Sequence, residues 1–504
     1  MGCRPPNVGV LAIEVYVPST SVAAADLEAY DGVSGKYTIG LGQVALRYCS
    51  DREDAVSLAL TAVHSLLEKY GLAANRIGRL EVGSETSPDR SKSIKSHVMR
   101  LLAAAGNHDV EGVDSVHGCY GATAALCNAI NWVESCSWDG RLALVVAADT
   151  ALYEPGSAAR ATGGAGAAAL LVGANAPLTM DPAWRASYSN NTDEFCRPSG
   201  PFPVYDKSQT LTQFLLAADN TFMFLHRRLR TLQQRVLELQ AGGNVNLVSC
   251  FDVSQGVLQH ADYFLSHAPY TRLVQKAFVR LALQDALRTA NGGELLAAAG
   301  VAPRWQMCDP DALPGSGYGD KALEAVLLAA CRRALEEKVA PGAWAQQRVG
   351  NAYTASLYIG LARLWEYEGR MLEGKRLLLF SFGSGVMSTL FSLVARRCEG
   401  GEFTLERVAA NMGLAQRLSR GRCCTPEEYD AALAQRAVSW EAAGYTPQTS
   451  VEDLEPGTWY LSQVDAQHKR VYTRKPRPAP YQTDQAAAST CSSTPSTTVQ
   501  QAMG

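Results

Sequence analysis

Apolar residues fall into two kinds of run that alternate along the chain. Residues 54–71, DAVSLALTAVHSLLEKYG, carry them at helical spacing and close on a glycine, which predicts a helix with one apolar face. Short β-rich apolar runs around 80–85, at 142–149 (LALVVAAD) and at 168–173 (AALLVG) predict buried strands. So do the runs at 262–267 (DYFLSH) and 376–383 (RLLLFSFG). Strands interleaved with helices in this way argue α/β layers. Beyond about residue 400 the pattern loosens: 426–444 predicts a helix and 456–474 a short strand or hairpin. From Lys475 onward the chain is rich in Pro, Ser, Thr and Ala, which predicts a disordered tail.

A weak internal repeat sharpens this picture. GCYGATAALCNAI (118–130) aligns with GNAYTASLYIGLA (350–362), and in both a glycine pair-step precedes small residues and an apolar helix. Cys119 stands 30 residues before Asp149, and Asn351 stands 30 before Ser381; both distances end on a predicted strand. A duplicated α/β half meeting its copy about a pseudo-twofold axis would bring Cys119 and Asn351 to one central cleft.

Composition narrows the function classes. The 504 residues are 47% hydrophobic and 19% charged with a net charge of −3, which gives no global attraction to nucleic acid or an anionic membrane. No apolar run approaches the ~18 residues of a membrane span. The thirteen cysteines are scattered without metal-ligand spacing, and are read as reduced thiols of a cytoplasmic protein. The Met-Gly-Cys start hints at acylation, but Pro6 stands where the myristoylation pattern needs Ser or Thr.

Cys119 lies between Gly118 and Gly121 just where a helix starts, so it is either a space-filling core cysteine or a nucleophile. As a nucleophile at a helix N-terminus, its pKa is expected below the free value near 8.5. His267 ends a strand and precedes a helix carrying Arg272 and Lys276 on one face; it is a proton-exchange candidate, and the basic pair a phosphate holder. His117 is a rival partner for Cys119, two residues away. Glu85, also at a strand end, is a base if partly desolvated and otherwise an ordinary loop glutamate. The Gly-Ser-Gly turn at 383–385 offers backbone N–H groups for an oxyanion. The glycine-rich stretch 161–173 lacks a dinucleotide setting and reads as close packing beside the cleft.

Seven ordered blocks make these segments resemble the eukaryotic cytosolic hydroxymethylglutaryl-CoA synthase family, from about Asn7 to Arg474. They are DGVSGKYTIGLGQ (31–43), RLEVGSETSPDRSKSIK (79–95), GVDSVHGCYGATAAL (112–126), NWVESCSWDGR (131–141), SHAPYTRLVQK (266–276), VGNAYTASLY (349–358) and FSFGSG (380–385). The resemblance implies a thiolase-like αβαβα fold of two similar halves, 1–175 and 176–400, an appendage over 401–474 packed on the core, and the tail from 475 to 504. It implies that acetyl-CoA and acetoacetyl-CoA condense with water to 3-hydroxy-3-methylglutaryl-CoA, on the mevalonate route to isoprenoids and sterols. Cys119 would carry the acetyl group, Glu85 would deprotonate its methyl, and His267 would polarise the acetoacetyl ketone. Lys36, Tyr153, Thr162, Arg272, Lys276, Asn351 and Ser384 would contact substrate or CoA, with Asp149, Asp206 and Gly385 supporting them. No metal or redox cofactor is implied, and the partner is a second copy in a cytoplasmic homodimer. Against the family pattern, Ala122 stands in a glycine position, where its methyl either crowds the acyl site or is absorbed by a small backbone shift, His117 adds a titratable group, and Lys207 takes another glycine position. A ketoacyl-synthase-like enzyme, a cysteine hydrolase and a non-catalytic relative are the competing readings.

Overall fold

A computed structural model describes residues 5–241 and 252–477. The tail beyond Arg477 and the Gly2–Cys3 start therefore lie outside the described residues. Nine strands form one sheet: β1 (Gly9–Tyr16), β2 (Ile77–Gly83), β3 (Asp114–Ser115), β4 (Leu142–Thr150), β5 (Ala165–Gly173), β6 (Leu178–Ser189), β7 (Tyr263–Ser266), β8 (Arg376–Gly383) and β9 (Met387–Ala395). Their order across the sheet is β7-β8-β9-β6-β1-β5-β4-β2-β3. β1, β5 and most of β8 are buried along their length, which is why they read as unbroken apolar runs rather than alternating ones.

The pairing repeats. β1 is antiparallel to β5, β5 to β4, and β4 is parallel to β2. In the second half β6 is antiparallel to β9, β9 to β8, and β8 is parallel to β7. The halves join where β1 and β6 pair at Gly9–Thr179 and Val10–Leu178. Glu85 follows the end of β2 and His267 the end of β7, so these two residues hold equivalent places in the two halves.

Helix α1 (Ala55–Lys69) covers β1, β4 and β5, its start fixed by a reciprocal capping box between Asp54 and Ser57. Helix α2 (Gly121–Val133) packs on β2 and β4. In the second half α3 (Lys207–Ala241) packs on β6 and β9, and α4 (Thr271–Ala286) packs on α3. Helix α5 (Ser356–Glu368) touches strands of both halves. It meets α2 through the Thr123 and Tyr358 hydroxyls, 2.8 Å apart. The layers match the thiolase-like arrangement that the resemblance implies, with α2 and α5 meeting between the two halves. The internal repeat is visible here: a short 3-10 turn, Tyr353–Ala355, occupies the positions that open α2.

Residues after 400 are bound onto the first half. Helix α6 (Pro426–Trp440) opens on a Thr425–Glu428 capping box, and the hairpin Trp459–Val464 and Arg470–Arg474 follows. The hairpin's Tyr472 hydroxyl donates to Asp54 at the start of α1 (2.8 Å). Fully buried Arg160 joins α6 to the first half. It donates to Asp430 (2.7 Å) and to Asp31 (2.7 Å), while the Tyr429 hydroxyl donates to its carbonyl (2.9 Å).

Candidate active site

Cys119 sits two residues before α2, at the junction with β3. Its thiol donates to Glu85 Oε1 at 2.9 Å. This contact needs the segment after β2 to lie against the start of α2, and Gly83 provides it: a Cβ there would fall 2.1 Å from the Ala122 nitrogen. A second close approach brings the Gly383–Gly385 turn to the nucleophile. A Cβ on Gly383 would lie 2.2 Å from the His117 carbonyl, so only glycine lets the turn and the Cys119 segment meet.

Both reacting groups keep some exposure yet lie deep in the protein, and their electrostatics follow. Burial, with the charge of Asp149 adding to it, raises the Glu85 carboxyl to about 7. The Cys119 thiol is pushed well above its ordinary value, first by burial and then by the neighbouring Glu85 carboxylate. The lowered thiol pKa expected from a helix N-terminus is thus reversed: desolvation and an adjacent anion outweigh the dipole. The resting pair is a thiol and a carboxyl poised near neutrality, arranged to exchange a proton.

Asp149, fully buried at the end of β4, holds this arrangement. Oδ1 accepts from Ser84 Oγ (2.8 Å), Glu85 N (2.9 Å), Thr86 N (3.0 Å) and Thr86 Oγ1 (2.6 Å). Oδ2 accepts from Thr354 N (3.0 Å) and the Thr354 hydroxyl. One carboxylate therefore ties the Glu85 loop of the first half to the turn before α5 of the second.

His267 is fixed by its main-chain N–H, which donates to Phe380 O (2.8 Å) on β8. Its ring is buried, which lowers its pKa to about 3 and keeps it neutral, and Nδ1 has no hydrogen-bond partner among the described residues. Cys119 and His267 both line a cavity of about 280 Å³, with Lys36, Tyr153, Thr162, Asn351 and Ser384. Asn351 donates its main-chain N–H to Thr162 O (2.8 Å), so the start of the glycine-rich 161–173 stretch packs beside the cavity. Around the sulfur lie Ala151, Tyr153, Tyr353, Phe195 and Ala159, an apolar wall with room for a small acyl group.

Other expected residues lie elsewhere. Asp206 is exposed and caps the start of α3 through Ser208 N (2.9 Å) and Gln209 N (3.0 Å), apart from the cavity lining. Arg272 bonds Gln275 (2.8 Å) and Lys276 pairs with Glu324 (3.1 Å); neither lines the cavity, although Tyr270 and Leu273 of the same region do. The helix periodicity placed these two cations on one face but could not say that the apolar face would meet the cavity. Ala122 does not crowd the acyl site: it is fully buried in the core against Gly83. Lys207 lines the cavity. His117 is exposed and faces the charge of Glu194 instead of Cys119.

Two site residues escaped the sequence reading. Buried Glu194 accepts from Gly385 N (3.1 Å) and from the Thr192 hydroxyl, which makes it the support of the Gly-Ser-Gly turn. Arg197 donates Nη1 to Glu85 O (2.6 Å), with its guanidinium 5.7 Å from the centre of the Tyr353 ring. The single local signal was a phenylalanine between two opposite charges in a polar loop. The turn that buries them, Phe195–Cys196 paired with Val204–Tyr205, is only two residues long on each side and leaves no periodicity. Among the described residues the cysteines are free thiols, and no group of three or more His, Cys, Asp or Glu is placed to hold a metal.

Two family models match the chain, hydroxymethylglutaryl-coenzyme A synthase N terminal over residues 4–177 and hydroxymethylglutaryl-coenzyme A synthase C terminal over 178–475. The Cricetulus griseus protein named hydroxymethylglutaryl-CoA synthase, cytoplasmic, is 39% identical over 479 residues, covering 94% of this chain and 88% of that one. The Ganoderma lucidum hydroxymethylglutaryl-CoA synthase is 40% identical over 483 residues, covering 94% and 96%. Among solved structures, MvaS in complex with 3-hydroxy-3-methylglutaryl coenzyme A superimposes with a TM-score of 0.74 at 29% identity, covering 94% of this chain and all of that one.

Proposed function

Because the chain belongs to the hydroxymethylglutaryl-coenzyme A synthase family, we infer that the cavity at Cys119 is where acetyl-CoA and acetoacetyl-CoA are joined. The protein is an acyltransferase that forms a carbon–carbon bond and yields 3-hydroxy-3-methylglutaryl-CoA, a step that fits the mevalonate route to isoprenoids and sterols. The Cys119–Glu85 contact carries the assignment of roles. A base already within 2.9 Å of the sulfur is within reach of a methyl group two bonds beyond it.

In the first step Glu85 takes the thiol proton and the sulfur attacks the acetyl carbonyl of acetyl-CoA. The carbon–sulfur bond to CoA breaks, and the CoA thiolate leaves with that proton. The acetyl methyl, acidified by the thioester, then gives a proton to the Glu85 carboxylate. Backbone N–H groups at Cys119 and Ser384 stabilise the enolate oxygen. The enolate carbon attacks the ketone carbon of acetoacetyl-CoA, whose oxygen is polarised by the neutral imidazole of His267 and takes up the proton that Glu85 removed from the methyl. Water cleaves the remaining thioester and frees Cys119. Asn351, Tyr153 and Thr162 shape the acetoacetyl side, and Lys36 and Lys207, the cations that line the cavity, meet the CoA phosphates. The reading needs no metal or redox cofactor, since CoA arrives with both substrates.

The test is the pH dependence of product formation from the two CoA thioesters. kcat/KM is expected to rise with pH along a limb centred at about 7, as Glu85 ionises. His267, already neutral, adds no limb in that range. A limb near the ordinary carboxylate value of about 4 would count against Glu85 as the base.

The protein works in the cytoplasm as a homodimer. In support of the location, similar proteins carry the name cytoplasmic. β3 forms a free sheet edge flanked by Val113 and Val116, which are 59% and 75% exposed. Sedimentation is expected to give twice the chain mass; a monomer at micromolar concentration would refute the pairing.

A further inference from the structure

Glu85 belongs to two spaces. Its carboxylate meets Cys119, which lines the reaction cavity, and Glu85 also lines a separate cleft of about 930 Å³ between the 87–97 segment and the C-terminal hairpin. Arg197 stands at the same boundary. It lines the cleft, while the Tyr353 ring beneath its guanidinium lines the cavity. Nη1 is spent on the Glu85 carbonyl at 2.6 Å. Nε and Nη2 are buried with no hydrogen-bond partner among the described residues. A guanidinium held under such cover is costly, and an apolar side chain would fill the space without desolvating a charge. What this arrangement secures is a permanent charge and a rigid fork at the main chain of the base.

We propose that Arg197 is a positioning residue for condensation: its guanidinium pins the Glu85 main chain beside Tyr353 and keeps a positive charge against the Glu85–Cys119 pair. The inference rests on the reading of Glu85 as the base. On the inner side the groups facing the pair are Asp149, Tyr153 and Tyr353. Asp149 and Arg197 act in opposite directions on Glu85, the first raising its pKa and the second lowering it. On the cleft side lie Asp89, Arg90, Lys92, Glu441, Lys469 and Arg470, with His97 and His468. Of these, Asp89 is engaged with Ser91 N and Lys92 N, and Arg470 with Asp54, so the charge in direct contact with the Glu85 main chain is that of Arg197.

The experiment compares Arg197→Gln, which keeps a donor but drops the charge, with Arg197→Lys, which keeps the charge but loses the fork. Each is measured for acetyl-enzyme formation and for the kcat/KM–pH profile. Loss of a nearby opposite charge is expected to move the ascending limb up by roughly one pH unit in the Gln variant. The Lys variant is expected to keep the wild-type limb with condensation slowed several-fold. A Gln variant that is slow at every pH with its limb unmoved would overturn the proposal. If the Gln variant does not fold, Arg197→Lys decides alone: slowed condensation at an unmoved limb supports it, and wild-type rates at every pH overturn it. Failure of the underlying reading looks different, because then wild-type protein itself forms no acetyl-enzyme or shows no limb at about 7.

Discussion

Cys119→Ser is expected to abolish turnover, with activity down about 10⁴-fold or more and no acetyl group retained on the protein after denaturation. Serine preserves the volume and keeps a hydrogen bond to Glu85, so the fold and the CoA sites should survive. The chemistry does not. The cysteine thiol is already held above its ordinary value and yields its proton only because a carboxyl poised near 7 lies 2.9 Å away. A hydroxyl would need several further units of acidification that this buried, anion-flanked site opposes. Mass spectrometry after mixing with acetyl-CoA should show the two-carbon adduct on wild type alone. An adduct on the Ser variant, or turnover within tenfold of wild type, would remove Cys119 from its role.

Glu85→Ala should separate the two half-reactions. Condensation with acetoacetyl-CoA is expected to fall about 10³-fold, since the proton on the acetyl methyl loses its acceptor. Acetylation should suffer much less, because two effects of the carboxylate on the thiol oppose each other. Glu85 accepts the thiol proton, but its negative charge also raises the thiol pKa. Removing it costs the acceptor and relieves the repulsion together. Raising the pH should therefore recover acetylation by solvent hydroxide while leaving condensation low. Acetyl-enzyme that goes on to product at the wild-type rate would refute the assignment.

The strands and helices were legible because this sheet is buried on both faces, so unbroken apolar runs such as 376–383 coincide with β8. The duplication was legible because small residues before an apolar helix recur at matched distances, and the strand pairing repeats in the same sense. Cys119, Glu85 and His267 were legible as strand-end or helix-start residues with reactive side chains. What the sequence could not carry is the competition between environments. A helix start predicts an acidified thiol, and only the coordinates place it beside a carboxylate under heavy burial. Asp206 and Glu194 lie twelve residues apart in one polar loop. Nothing in their spacing says that the first faces water and the second supports the Gly383–Gly385 turn. For Ala122 the sequence leaves crowding and absorption both open, because the direction of its methyl, into the core, is set by packing that spacing does not show.

The Arg160 clasp changes how the last part of the chain should be regarded. Arg160 holds Asp31 and Asp430 at once, and its own segment, Ala158–Thr162, lines the cavity together with Lys36, Tyr37 and Leu41 from the segment just after Asp31. A transcript spliced or cut upstream of Thr425 would still encode the nucleophile, the base and the imidazole. Its product would leave Arg160 with Asp31 alone, and the Ala158–Thr162 segment that lines the cavity would lose its tie to α6.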